Sequence, residues 1–336
     1  MKKIGLVIQG PLLSIGRTGD KMHESVEELK AQGGIVEYDC RDNIQKIVDE
    51  FGYLFEKIVV STWDNEVKPS DSWHGVKLVS QPDPGGIKQT GHYKDNNKYR
   101  QFLSTLKGLK EFDGTGIEYA VKIRTDIHLD LKTLIDSFFL KTEGKESNVI
   151  GVTVTHSPTF LLHDLYFIAR LDVLKDFCES ILDFDRFEFI SSVHREMLLK
   201  HAYGKYKKEI GVPDWAYFPT FPPGGICVST RKIFDYMFKN VYLNLDPEIF
   251  RRTLWRNTYF PEEHISSLVN LKSKGRKYNL PALICIDWGR YFNFLLETSG
   301  RKITFRDKFK MKIGESGWLL WNFIRKTGRN LVGVIR

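Results

Sequence analysis

An arginine, an acid and a histidine at alternate positions close the segment Tyr119-Ala-Val-Lys-Ile-Arg-Thr-Asp-Ile-His128. Side chains of an extended chain alternate with a period of two, so Arg124, Asp126 and His128 are expected on one side, at the carboxyl end of a hydrophobic strand. One carboxylate plus a substrate diphosphate can hold Mg2+, and Mn2+ also accepts an imidazole, which makes Asp126 and His128 candidate ligands for Mn2+ or Mg2+. The Arg124 guanidinium could instead take phosphate oxygens in bidentate fashion. The same residues also allow a bland reading, in which Arg124 and Asp126 form an ion pair that closes the strand.

Two other stretches carry polar groups where a ligand could use them. Gln9-Gly10-Pro11 follows an apolar run, and there glycine lets the backbone approach a ligand while the amide can hydrogen-bond a base or ribose. A plain Gly-Pro turn is the competing reading. Asn97, Arg100, Gln101 and Ser104 recur at spacings of three and four, one face of a helix, which could line a pocket or simply face water. Neither GxxxxGK[ST] nor GxGxxG occurs, so the two glycine-rich ways of cradling phosphate are unsupported.

These groups need elements to hold them. Ile4–Ile8, Lys57–Ser61, Val76–Val79 and Tyr119–Ile123 are short runs rich in Val and Ile, the pattern of buried strands. Ile44, Ile47, Val48 and Phe51, and then Tyr99, Phe102, Leu103, Leu106 and Leu109, recur at helical spacing. Alternation of the two predicts an α/β fold with a Rossmann-type, mostly parallel central sheet flanked by helices. Ligands of such sheets sit at the carboxyl ends of strands, just after Ile8, Ser61, Val79 and Ile123. Beyond residue 147 the pattern predicts strands over Asn148–Thr155 and Leu165–Ile168, helices over Val173–Leu182 and Ser191–Ala202, and a loop over Phe218–Gly225.

With 336 residues, 42% hydrophobic, the chain can bury a large core. The net charge of +8 is local: Arg301–Arg336 holds ten Lys/Arg against two Asp/Glu, which leaves 40 of each sign in the rest. A neutral body argues against a nucleic-acid partner. The tail interleaves Trp318, Leu319, Leu320, Trp321, Phe323 and Ile324 with Lys and Arg, too short an apolar run to span a bilayer. It reads either as a basic amphipathic helix on an anionic membrane surface or as a helix packed on the body. Four scattered cysteines and an opening Met-Lys-Lys that runs straight into a strand fit a cytoplasmic protein, peripheral on the inner face of the membrane. The expected organisation is a domain over 1–300, in two halves (1–130 and 131–300), followed by the extension 301–336.

Val7-Ile8-Gln9-Gly10-Pro11-Leu12, Ser61-Thr62-Trp63, Asn97 through Leu109 and Tyr119 through Ile127 stand in an order that resembles the WavE lipopolysaccharide-synthesis family, with weaker matches at Asp164–Ile168 and around Glu196. The resemblance implies a GT-A-like fold with a nucleotide-sugar-binding half (1–130) and an acceptor half (131–300), a nucleotide-sugar donor, and transfer onto a glycan or lipid-linked glycan acceptor of lipopolysaccharide, O-antigen or capsule. It also gives residues roles. Asp126 would meet the cation that bridges the diphosphate. Gln9, Gly10, Pro11 and Trp63 would surround the nucleoside, and Asn97, Gln101 and Arg124 would reach sugar or phosphates. Asp164 and Glu196 become candidates for acceptor binding and the general base, with Glu262 or Glu263 as a rival base. Where GT-A enzymes commonly carry Asp-X-Asp, this chain has Arg124-Thr125-Asp126, so Arg124 could neutralise the diphosphate without metal. On these roles, Asp126→Asn is expected to abolish transfer in a folded chain. Rival readings are nucleotidyl transfer, which typically uses a Lys-containing glycine loop that Gln9-Gly10-Pro11 lacks, glycan hydrolysis by two spaced carboxylates, and a non-catalytic scaffold at the membrane surface.

Overall fold

The computed structural model describes residues 2–21, 31–86, 97–143, 147–152, 154–155, 161–162, 164–183, 201, 205 and 240–260. The chain divides into two units. The first comprises Met1–Thr155, Leu161–His201 and Phe238–Ile265; the second comprises His156–Phe160, Ala202–Met237 and Ser266–Arg336, of which only Lys205 is described. Every element below belongs to the first unit. The helix expected over Ser191–Ala202 (His201 apart), the loop at Phe218–Gly225 and the basic extension 301–336 lie outside the described residues.

The chain begins β1 (Ile4–Gln9), β2 (Leu13–Gly16), β3 (Val36–Asp39), α1 (Arg41–Phe51), β4 (Lys57–Trp63) and β5 (Val76–Gln81). It continues α2 (Lys98–Lys110), β6 (Tyr119–Arg124), β7 (Ile127–His128), α3 (Leu131–Lys141), β8 (Ile150–Val152), β9 (Val154–Thr155) and β10 (Leu161–Leu162). Then follow β11 (Tyr166–Arg170), α4 (Leu171–Leu182), β12 (Tyr242–Asn244), α5 (Pro247–Arg251), β13 (Leu254–Trp255) and β14 (Thr258–Tyr259).

Seven strands form one sheet in the order β12-β8-β11-β6-β1-β4-β5. β6, β1, β4 and β5 run parallel, as does the β12–β8 pair, and β11 runs antiparallel to β6 and β8. The expected α/β fold with a mostly parallel sheet is therefore what the chain adopts. The central strands are uninterrupted apolar runs because both faces are covered. Leu6, Ile8, Val60, Val121, Ile123 and Ile168 project to one face and join Ile44 and Ile47 of α1 and Leu134 and Phe138 of α3 in a single core. Burial of each such side chain stabilises by roughly 1.5–3 kcal/mol relative to exposure.

The other face carries α2 and α4, which pack side by side. Phe177 of α4 meets Phe102 and Phe167 edge to face, with centroids 5.6 and 5.3 Å apart. A Cβ on Gly108 would fall 2.6 Å from Val7 Cγ1, so a glycine is what lets α2 sit this close to β1. The close seating brings Ser104 onto β4: Ser61 Oγ donates to the Ser104 carbonyl at 2.7 Å, and Ser104 Oγ to the Ser61 carbonyl at 2.9 Å.

Parallel direction puts the carboxyl ends of β1, β4, β5 and β6 on one edge, and antiparallel β11 brings its amino end to the same place, with Tyr166 opposite Ile123. Three small antiparallel sheets among the described residues were not predicted, one of them the β9–β10 pair. β2 pairs with β3, and the β13–β14 hairpin pairs with β7, Trp255 opposite Ile127. The hairpin turns on Arg256 and Asn257, both left-handed (φ 49° and 64°), the conformation that suits a two-residue turn between twisted strands.

Candidate functional site

Arg124 and Asp126 meet as expected, but His128 goes elsewhere. β6 ends at Arg124, and Thr125–Asp126 is a turn whose backbone is pinned on several sides. Thr125 N–H donates to the Gln9 carbonyl at 2.9 Å, Thr125 Oγ1 to the Pro11 carbonyl at 2.8 Å, and Asn43 Nδ2 to the Thr125 and Ile127 carbonyls at 2.8 and 3.0 Å. The turn breaks the period of two, so His128 emerges in β7 with its Nε2 3.2 Å from Glu50 and its ring centroid 6.1 Å from that of Phe51. The expected convergence of all three residues therefore fails at the turn.

Asp126 is the hub of a buried polar knot. Its side chain is 2% exposed and lies between two guanidinium groups. Arg124 donates through Nε to Oδ1 at 2.9 Å and through Nη2 to Oδ2 at 2.8 Å. Oδ2 also accepts from Ser14 Oγ at 3.0 Å and Trp255 Nε1 at 2.9 Å, and Arg256 Nη2 stands 3.1 Å away. Burial by itself would raise this carboxyl, but Arg124 and Arg256, with the hydrogen bonds from Arg124 and Trp255, outweigh it and hold the carboxyl below the ordinary value. A carboxylate oxygen has about two acceptor directions, and four donors already converge on Oδ2. A divalent cation here would face two guanidinium charges and would lack His128, so the donor set does not fit Mn2+ or Mg2+. Among the described residues, no three His, Cys, Asp or Glu side chains gather as a metal cage.

Arg124 and Arg256 differ in what they leave free. Arg256 Nε and Nη2 face Ser14 Oγ at 3.3 and 2.9 Å, and Nη1 donates to the Arg17 carbonyl. Its side chain is 6% exposed. Arg124 commits Nε and Nη2 to Asp126, and its Nη1 points toward the Asp164 carboxylate 3.9 Å away, with 25% of the side chain exposed. The Trp255 ring lies 5.6 Å from the Arg124 guanidinium carbon and 4.8 Å from that of Arg256.

The remaining predicted residues line the same sheet edge. Gln9 is 4% exposed, in register with Arg124 on one side and Ser61 on the other, and its buried Oε1 has no hydrogen-bond partner among the described residues. Gly10 has φ +139°, and a Cβ there would lie 2.6 Å from Thr125 Oγ1. The loop is held from below by the Glu66 carboxylate, which accepts from the N–H groups of Leu12 and Leu13. Trp63 is 1% exposed, and the Arg100 guanidinium sits 5.0 Å above its ring, so the indole is a covered wall and not an open stacking platform. Arg100 donates in turn to Asp83 at 2.6 Å and to Asn97 Oδ1 at 3.2 Å. Gln101 Nε2 donates to the main-chain carbonyl of Asp164 at 2.9 Å. Glu196, Glu262 and Glu263 lie outside the described residues.

Ser14, Trp255 and Arg256 escaped the sequence reading. Ser14 is one hydroxyl in a short strand, and Leu-Trp-Arg-Asn-Thr-Tyr lacks the glycine that usually marks a two-residue hairpin turn. Lys122 left a clear mark, a charge inside the apolar run Ala-Val-Lys-Ile, that went unused.

Among solved structures, the chain is similar to a mannose-1-phosphate geranyltransferase from Thermus thermophilus, at 11% identity over 58% of this chain and 69% of that one, TM-score 0.31. It is also similar to a CMP:2-keto-3-deoxy-manno-octonic acid synthetase complexed with CTP, at 11% identity over 59% and 86%, TM-score 0.35. A third is a glycosyltransferase involved in glycosylation of the major capsid of PBCV-1, at 10% identity over 73% and 83%, TM-score 0.32. Similarity at this level transfers no activity to this chain. No curated protein matches it. Residues 4–163, the stretch that carries β1 through β10 and with them Gln9, Trp63, Arg124 and Asp126, match the WavE lipopolysaccharide synthesis family.

Proposed function

We propose that this chain is a glycosyltransferase that moves a sugar from a nucleotide-activated donor to a lipopolysaccharide, O-antigen or capsule glycan. The observation that carries the reading is the charge at the sheet edge. Two guanidinium groups share one buried carboxylate, and the less buried one, Arg124, turns Nη1 away from it toward the Asp164 carboxylate, in a long ion pair of 3.9 Å that a phosphate could replace. This cation stands at the carboxyl ends of parallel strands, where open α/β sheets bind ligands. As the bond between sugar and diphosphate breaks, negative charge grows on the departing phosphate, and a fixed guanidinium in a poorly hydrated site stabilises it. The pairing of Asp126 with two guanidinium groups favours Arg124 over a metal ion in the neutralising role. Asp164, facing Arg124, suits orientation of the donor or acceptor. The base that takes the acceptor hydroxyl proton is sought in Glu196, Glu262 or Glu263.

A panel of uridine-, guanosine- and cytidine-linked sugars, screened by thermal shift with and without Mn2+, tests this directly. A ligand at one hundred times its dissociation constant raises native stability by about 2.7 kcal/mol. We expect one nucleotide class to shift the melting temperature equally with and without Mn2+, and turnover to release the nucleoside diphosphate. Release of pyrophosphate would establish nucleotidyl transfer instead, and no shift in a folded sample would favour the scaffold.

The acceptor chemistry implies a membrane face, and no helix among the described residues is long and apolar enough to cross one. The basic, tryptophan-containing segment Arg301–Arg336 supports peripheral attachment. Deleting it should release the protein from vesicles containing phosphatidylserine; unchanged sedimentation with those vesicles would refute the attachment.

A further inference from the structure

Lys122 is a buried titratable group that the donor-site chemistry leaves unused. It is in the interior of β6 with 0% exposure. Among the described residues its Nζ makes one hydrogen bond, to the Asp164 main-chain carbonyl at 2.5 Å, and it lies 5.1 Å from the Phe167 ring centroid. An ammonium carries three donors, and one carbonyl and one ring compensate its lost hydration poorly. Burial accordingly pushes its pKa down to about 7. Among the described residues, the charged and titratable groups around it are few. Arg124, two residues on along the same strand face, opposes the ammonium form, while Asp164 at the entry to β11, Cys178 of α4 and Asp126 beyond the strand end favour it. From α2 comes the uncharged Gln101, which donates to the same Asp164 carbonyl, and from β1 the apolar Val7 in register.

Lys122 and Arg124 thus share one strand face and flank one residue, Asp164. An anion seated on Arg124 cancels the charge that disfavours the ammonium and adds a field that favours it. We propose that Lys122 takes up a proton when the donor binds, so that part of the charge of a nucleotide-linked diphosphate at Arg124 is balanced by an amine that never touches it. The inference rests on the donor-site reading above and makes Lys122 a positioning residue, acting through Asp164 and Arg124.

The test is calorimetric titration of the full chain with UDP-, GDP- and CMP-linked sugars in pairs of buffers with different ionisation enthalpies. The phosphodiesters of these sugars do not titrate near neutrality, so proton uptake reports the protein. We expect uptake of up to about half a proton per ligand at pH 7, and affinity falling toward tenfold per pH unit above it. Lys122→Met should bind with neither dependence. Buffer-independent heats in the natural chain, or equal uptake in the variant, would overturn the proposal, and the natural chain decides alone if the variant fails to fold. Binding by none of the sugars would overturn the donor reading as well. A ligand-free control separates the two failures. An amine with a pKa near 7 when folded and 10.5 when unfolded leaves the unfolded chain holding more protons between those values, so Lys122 contributes a rise of stability with pH across that window. Lys122→Met should lose that rise whether or not a sugar binds.

Discussion

Asp126→Asn is expected to lower the free energy of unfolding by about 3–5 kcal/mol, the cost of leaving a buried ion pair without one partner. From the sequence this substitution looked like a test of chemistry in an intact fold, and the geometry changes that expectation. Asp126 answers Arg124, Arg256, Ser14 and Trp255 together, and two of those partners are cations. An asparagine offers one neutral acceptor oxygen and turns two donor hydrogens toward guanidinium groups. Arg256, almost wholly enclosed, cannot turn to water. Urea unfolding followed by circular dichroism measures the loss, and a change under about 1 kcal/mol would refute the hub. Adding Arg256→Met to Asp126→Asn should recover part of the loss, because the variant then buries one cation fewer.

The same hub predicts acid sensitivity with a definite sign. The folded carboxyl lies below its ordinary value of 3.8, so its contribution is present at neutral pH and is lost as pH falls below about 4. Asp126→Asn removes that contribution at every pH, and its stability should fall less steeply between pH 5 and 3 than that of the natural chain.

The sequence revealed the scaffold better than the knot. β1, β4, β5 and β6 were legible because strands covered on both faces must be apolar throughout, and α1, α2 and α4 because a helix covered on one face repeats near 3.6 residues. Each strand ran one or two residues beyond its predicted end, and those extra residues include three at the site: Gln9, Trp63 and Arg124. Strand ends are where apolar patterning stops and pairing continues, so pattern reading truncates them. α3 was not predicted, although Asp130 caps it by accepting from the Thr133 N–H at 2.9 Å. The period of two was extrapolated through Thr125, where backbone bonds to Gln9 and Asn43 impose a turn. No local pattern could have announced that turn, since its partners lie more than 80 residues away. The approach of Arg256 is equally non-local, resting on hairpin pairing with β7.

Arg124→Met should weaken nucleotide-sugar binding by about 10- to 150-fold, the range expected when hydrogen bonds to a charged group are lost, while costing less stability than Asp126→Asn. The difference follows from what each residue leaves behind. Without Arg124, Asp126 still has Arg256, Trp255 and Ser14, and the buried charges are paired one to one. Without Arg124, however, the sheet edge loses the guanidinium nitrogen that faces Asp164 and is not committed to Asp126. Arg256→Met provides the contrast, because every nitrogen of Arg256 faces a protein acceptor and none is spare for a ligand. That variant should lose stability yet, at temperatures where it stays folded, bind the donor within a few-fold of the natural chain. Arg124→Lys should recover little, since an ammonium cannot hold Asp126 through two nitrogens and offer a third at the same time. Dissociation constants for the three variants, measured with the nucleotide sugar that shifts the melting temperature, separate the roles. Equal weakening by Arg124→Met and Arg256→Met would make the pair a purely structural clamp and move the donor site elsewhere on the sheet edge.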